Sequence, residues 1–126
     1  MDFSDIMLGK DLYKIQKYDE AYSVFEKSLS IELDSATAYE YLAKIAIALN
    51  KTDEAESYIR KAVQINPTQE NYLLLVKALY NNRKYQSCLE VLNSKIANAK
   101  NSEITALLHH HCELILFLIR QFTIHK

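Results

Sequence analysis

The chain repeats itself. Laid over itself so that Leu8 falls on Leu42, LGKDLYK at 8–14 matches LAKIAIA at 42–48, and DEAYSVFEKSLSIEL at 19–33 matches DEAESYIRKAVQINP at 53–67. Gly9 then meets Ala43, Lys10 meets Lys44, Ala21 meets Ala55 and Phe25 meets Ile59. A third, weaker copy, NYLLLVKALYNNRKYQSCLEVLNSKI, is one residue shorter; it puts Val76, Cys88 and Leu92 at the places of Ala43, Ala55 and Ile59. Two amphipathic segments in every such period mark a stacked helical array, because one such pair cannot bury its apolar face alone.

A sheet finds no support. Gly and Pro occur once each, and no Asn-Gly or Asp-Gly is present, so hairpins lack their turn residues. Ala, Leu, Glu and Lys are plentiful and favour helix. The periodicity predicts an all-α chain with helices at 3–16, 19–32, 35–49, 53–65, 69–81, 85–99 and 103–123. Asp34-Ser35, Thr52-Asp53-Glu54 and Thr68-Gln69-Glu70 offer caps and first-turn acids. Asn50-Lys51 and Asn81-Asn82 fall at turns. Pro67 cannot continue the helix before it.

This pattern resembles the tetratricopeptide repeat. In that family small residues let two antiparallel helices approach, a bulky apolar residue fills the gap, and a proline ends the second helix. Gly9, Ala21 and Phe25 match in the first repeat; Leu42, Ala43, Ala55, Ile59, Ala62 and Pro67 match in the second. Leu33 stands where the first repeat would have its proline, and the third lacks both small residue and proline. The resemblance covers about 2–100 and implies a right-handed helical-repeat solenoid. Its repeats run over about 2–35, 36–68 and 69–100, with a capping helix at about 103–123. At 126 residues the chain suits a single domain.

The resemblance also implies a groove lined by the first helix of each pair. Some members grip a chaperone's C-terminal carboxylate there with lysines, asparagines and an arginine. The matching positions here are Ile6, Lys10, Tyr41, Glu70 and Leu74. Glu70 would repel a carboxylate, so heat-shock chaperone tails are not the expected partner. Another set does line up. Lys10, Lys44 and Lys77 share one position, Tyr13, Ile47 and Tyr80 another, and Lys14 adds charge in the first repeat. These residues are the candidate peptide-binding set, for a partner segment carrying acidic residues. The plain alternative is that the lysines solvate the inner face, with Glu40 pairing Lys44 one turn on.

Other chemistry finds little footing. Fifteen basic and sixteen acidic residues nearly balance, which argues against a general nucleic-acid or acidic-membrane binder. Cys88 and Cys112 make no disulfide framework, and MDFSDIMLGK has neither a basic start nor a long apolar run. A reducing intracellular compartment, the cytoplasm by default, follows. HHHC at 109–112 places His109 and Cys112 within reach of one face, but a structural zinc site wants four ligands. No metal or cofactor is expected, with His111 and Cys112 packing inward and His109 and His110 facing water. No nucleophile–base pair stands out, so no enzyme is expected. The nine tyrosines read as packing between repeats.

The last helix departs from the rest. At 100° per residue its core stripe reads Ile104, Leu108, Cys112, Ile115, Leu118, Ile119 and Phe122; Phe117 falls on the opposite face with His110, Glu113 and Arg120, and Leu114 and Leu116 flank the stripe on either side. A membrane anchor is the competing reading. Eleven Leu, Ile and Phe residues gain about 3–7 kcal/mol in a bilayer, and Glu113 and Arg120 nearly cancel that at about 2.5–3.5 kcal/mol each. A capping helix with a sticky flank is preferred. The chain therefore reads as a non-enzymatic adaptor or scaffold subunit that binds another protein in its groove. The alternatives are a subunit that self-associates, as a homodimer through Leu114, Leu116 and Phe117, and a tail-anchored adaptor.

Overall fold

A computed structural model describes residues 3–31, 35–96 and 103–124. Among them seven helices follow one another: α1 (Phe3–Lys14), α2 (Tyr18–Ile31), α3 (Ala36–Ala48), α4 (Thr52–Ile65), α5 (Gln69–Asn81), α6 (Tyr85–Lys95) and α7 (Glu103–Ile124). Each packs on the next, and α1, α3 and α5 also touch in series. This is an all-α helical-repeat fold. Leu33, Asp34 and residues 97–99 of the expected sixth helix lie outside the described residues.

Local signals explain the helix ends. Ser35 Oγ accepts the Ala38 N–H at 3.2 Å, and Thr68 Oγ1 accepts that of Asn71 at 3.2 Å. Each satisfies a donor that the first helical turn leaves free. Thr52 is no cap: α4 starts on it, after Lys51, which makes no side-chain capping bond. All three first-to-second helix turns share one geometry without glycine. Gln16, Asn50 and Arg83 have φ of 63°, 59° and 61°. The next residues, Lys17, Lys51 and Lys84, donate back to Leu12, Ala46 and Leu79 at 2.9, 2.8 and 2.9 Å. This left-handed closure satisfies the last carbonyls of each helix. In the third turn the left-handed residue is Arg83, just past the expected Asn81-Asn82.

Small residues sit where helices cross. Ala43, Ala46, Ala55 and Ala62 are fully buried, as are the bulky Phe25, Leu42, Ile45 and Ile59 that fill the space between helices. Burying each such bulky side chain contributes roughly 1.5–3 kcal/mol. Two clusters result. One gathers Ile6, Ala21, Phe25, Ala38, Leu42 and Ile45; the other runs from Ala43 through Ile59, Leu79 and Leu92 to Cys112. A polar clasp joins successive repeats. Glu56 accepts Asn82 Nδ2 at 2.8 Å, Arg60 Nε at 2.9 Å and Lys84 Nζ at 3.0 Å. Burial pushes its carboxyl up, but the three donors outweigh that and hold it below the usual carboxylate range.

Helix α7 keeps the register of α3 and α5. Ala38, Asn71 and Thr105 are successive equivalents and all are buried; so are Ile45, Ala78 and Cys112. It packs on α6 as α3 packs on α2. The expected core stripe holds only in its first part. Cys112 is buried and Leu108 and Ile115 are half-buried, whereas Leu118, Ile119 and Phe122 are 56%, 52% and 69% exposed. The reason is length. At 1.5 Å per residue α7 is about 33 Å long and the described α6 about 17 Å, so the far end of α7 outruns its support. Ile104 lies outside the described side chains. Among the described residues no helix is long and apolar enough to cross a membrane.

Candidate functional site

Helices α1, α3 and α5 present the candidate residues of the groove. Lys10, Tyr13, Lys44, Ile47 and Tyr80 are half-buried; Lys14 and Lys77 are exposed. Lys10 and Lys44 converge on Tyr41, with Nζ atoms 5.8 and 4.6 Å from its ring centroid. Such contacts hold an ammonium over a ring face. Tyr13 meets the same ring edge-on at 5.4 Å, and Phe25 stacks beneath it at 5.1 Å. Burial, and then neighbouring Tyr18 and Tyr41, push the Tyr13 hydroxyl pKa up.

Lys44 and Lys77 line a common hollow of about 260 Å³ together with Leu73, Leu74, Glu40 and Glu70. Glu40 accepts Asn71 Nδ2 at 2.8 Å, while Lys44 rests on Tyr41 rather than on Glu40. The lining of the hollow is thus partly apolar and of mixed charge. Ile47 packs on the second core cluster.

Tyr80 is engaged by α7. Its hydroxyl bonds His111 Nδ1, and the two rings lie 5.5 Å apart. The helix therefore borders the groove. His111 is exposed, contrary to its expected inward packing. His109 does not simply face water: its Nε2 lies 2.9 Å from Asn93 Oδ1 on α6 and its Nδ1 2.6 Å from Glu113 Oε1. His110 is exposed and Cys112 buried. The HHHC run thus points in four directions. Among the described residues no three His, Cys, Asp or Glu side chains could hold one metal ion. On the outer flank Leu114 and Phe117 are 45% and 54% exposed, and Leu116 is half-buried.

Two site residues escape a reading of the sequence that stops at the third repeat. Tyr41 departs from the clamp pattern, yet it is the ring that gathers two lysines. His111 stands as far beyond Lys77 as Lys44 stands beyond Lys10, at the next step of the lysine column. Carrying the repeat shift one step further reaches it.

Comparison with known proteins agrees with this architecture. The sequence model of the tetratricopeptide repeat matches residues 12–79. A Drosophila melanogaster protein described as "BBSome complex member BBS4 homolog" is 26% identical over 110 residues, covering 77% of this chain and 23% of the fly protein. The crystal structure of YrrB, a "TPR protein with an unusual peptide-binding site", superposes with a TM-score of 0.79 at 17% identity, covering 87% of this chain and 57% of that one. The Yersinia enterocolitica type III secretion chaperone SycD, in complex with a peptide of the translocator YopD, gives 0.78 at 15% identity over 88% and 91%. The first TPR of Spaghetti (RPAP3), bound to an HSP90 peptide, gives 0.76 at 19% identity over 92% and 98%. At such identities these structures speak for the fold alone. The profile match spans more than half of the sequence, and the chain belongs to the tetratricopeptide repeat family, a family of protein-interaction modules.

Proposed function

We propose that this chain is a non-enzymatic adaptor or scaffold subunit that receives an acidic peptide or helix of another protein along α1, α3 and α5. It reads as one unit of three repeats, at about 2–35, 36–68 and 69–100, closed by α7 as a cap, and working in the cytoplasm. One observation carries the reading: Lys10 and Lys44 meet over Tyr41, and Lys44 shares an open hollow with Lys77. A bound segment would set acidic side chains against these lysines and an apolar one against Leu73 and Leu74. Glu40 and Glu70 would select where its acids fall, since like charges in contact are costly. That SycD is described in complex with a peptide, YrrB with a peptide-binding site and the fly relative as a complex member is in keeping with such a role. Chaperone tails are not the proposed ligand, because Ile6, Tyr41, Glu70 and Leu74 do not reproduce a carboxylate clamp.

The test is capture of partners from the native cell by the wild-type chain and by the triple variant Lys10→Glu, Lys44→Glu, Lys77→Glu. Loss of capture with helicity intact supports the groove; retained capture overturns it. A second reading, self-association through α7, is favoured by the exposure of Leu114 and Phe117.

A further inference from the structure

The geometry points to a specific antiparallel pairing of α7 with α7 of a second copy of this chain, an inference that rests on the reading of self-association. The outer face of the helix sets the register. At 100° per residue, His110, Leu114, Phe117 and Gln121 fall within about 60° of one another, while Cys112 lies about 140° from Phe117. Cys112 is fully buried against the rest of the fold. Pairing and docking therefore use different sides of α7 and do not compete.

Charge selects the occupant. Glu113 and Arg120 are seven positions apart, so they share one flank of the outer face, two turns from each other. Both are exposed. When two helices pair antiparallel, like flanks meet. A two-fold axis between the helices then places Glu113 of each copy beside Arg120 of the other. The same axis sets Leu114 of one copy against Phe117 of the other, twice, and His110 against Gln121. In a parallel pair each flank meets the opposite flank, and the two charges do not meet. A face that satisfies itself under a two-fold axis is what an isologous dimer needs. His109 occupies Glu113 Oε1 from within the helix, but a carboxylate accepts more than one bond.

The test is a charge swap read by sedimentation over a concentration series, on the full chain. The wild type should dimerise. Glu113→Arg sets two arginines against each other at both contacts, and Arg120→Glu sets two glutamates. Each variant alone should dimerise at least about tenfold more weakly. An equal mixture of the two should regain the dimer, because both contacts are then oppositely charged. Mixing also shows that both variants are folded. A wild type that stays monomeric at its highest soluble concentration overturns self-association altogether and leaves the face to another protein. A wild-type dimer that neither variant weakens, or that mixing does not restore, overturns only this register.

Discussion

The ring of Phe25 lies where a side chain on Gly9 would have to be: a Cβ built on that glycine meets Phe25 Cζ at 2.6 Å. Phe25 cannot easily retreat, since it is fully buried and stacked on Tyr41. Gly9→Ala would gain about 1 kcal/mol of helix propensity but overpack the crossing of α1 and α2 at about 1–3 kcal/mol. Net destabilisation of order 1 kcal/mol is expected in urea unfolding. In a Phe25→Leu background, where the ring is gone, the same substitution should turn neutral or stabilising. Additive effects in the two backgrounds would show that the two residues are not in conflict.

The three left-handed turns predict an order of effects. A side chain in that conformation costs roughly 1–2 kcal/mol, except that Asn tolerates it. Arg83→Gly and Gln16→Gly should each stabilise the fold, by about 1 kcal/mol or less after the glycine's extra unfolded freedom is counted. Asn50→Gly should change little. The check is the unfolding midpoint of the three variants in parallel, and a larger gain at Asn50 would contradict the argument.

The Glu56 clasp predicts a pH dependence. Its pKa is lower folded than unfolded. The stability it adds is therefore full above the unfolded value, about pH 4, and is lost as pH falls through the lower folded value. Glu56→Gln can keep the Asn82 bond but loses the charge facing Arg60 and Lys84, whose side chains are half exposed. The expected cost near pH 7 is about 1 kcal/mol. Wild type and variant should converge as the pH drops below about 4. A gap that persists in acid would mean that the charge is not its source.

Much of this fold is legible in the sequence because helix crossings are local demands. Gly9, Ala43, Ala55 and Ala62 must be small wherever two backbones approach, and Phe25 and Ile59 must fill what is left. Those requirements return with every helix pair, whatever the rest of the chain does. The outer half of α7 is not legible for an opposite reason. Periodicity tells which residues share a face, but not how far a neighbouring helix extends to cover it. Leu118, Ile119 and Phe122 follow the stripe of Cys112 and Ile115, yet each is more than half exposed where α7 runs on past the described α6. Tyr41 is hidden likewise: its role needs Lys10 and Tyr13 from α1, Phe25 from α2 and Lys44 from its own helix, and no single-segment pattern links them.

The docking of α7 can be read through its buried thiols. Cys88 and Cys112 are both fully buried and unoxidised. Burial first, and then the bond to Cys112, push the Cys88 thiol up to about 12. At pH 8 about one molecule in ten thousand would then carry the reactive thiolate. Burial also raises Cys112, outweighing the opposing effect of its bond to Cys88. Both cysteines should therefore label only when α7 lifts from α6, and they should label together. Leu108→Asp places a charge against the second core cluster, where Leu108 packs. It should weaken docking by about 2–3 kcal/mol, speeding the labelling of both thiols by about thirty- to a hundred-and-fiftyfold while α1 to α5 stay helical. Phe117→Asp, on the outer face, should leave the rate unchanged at dilutions where the chain is monomeric. Labelling of wild-type Cys88 as fast as a free thiol would mean that α7 is not held against α6, and the cap would have to be abandoned.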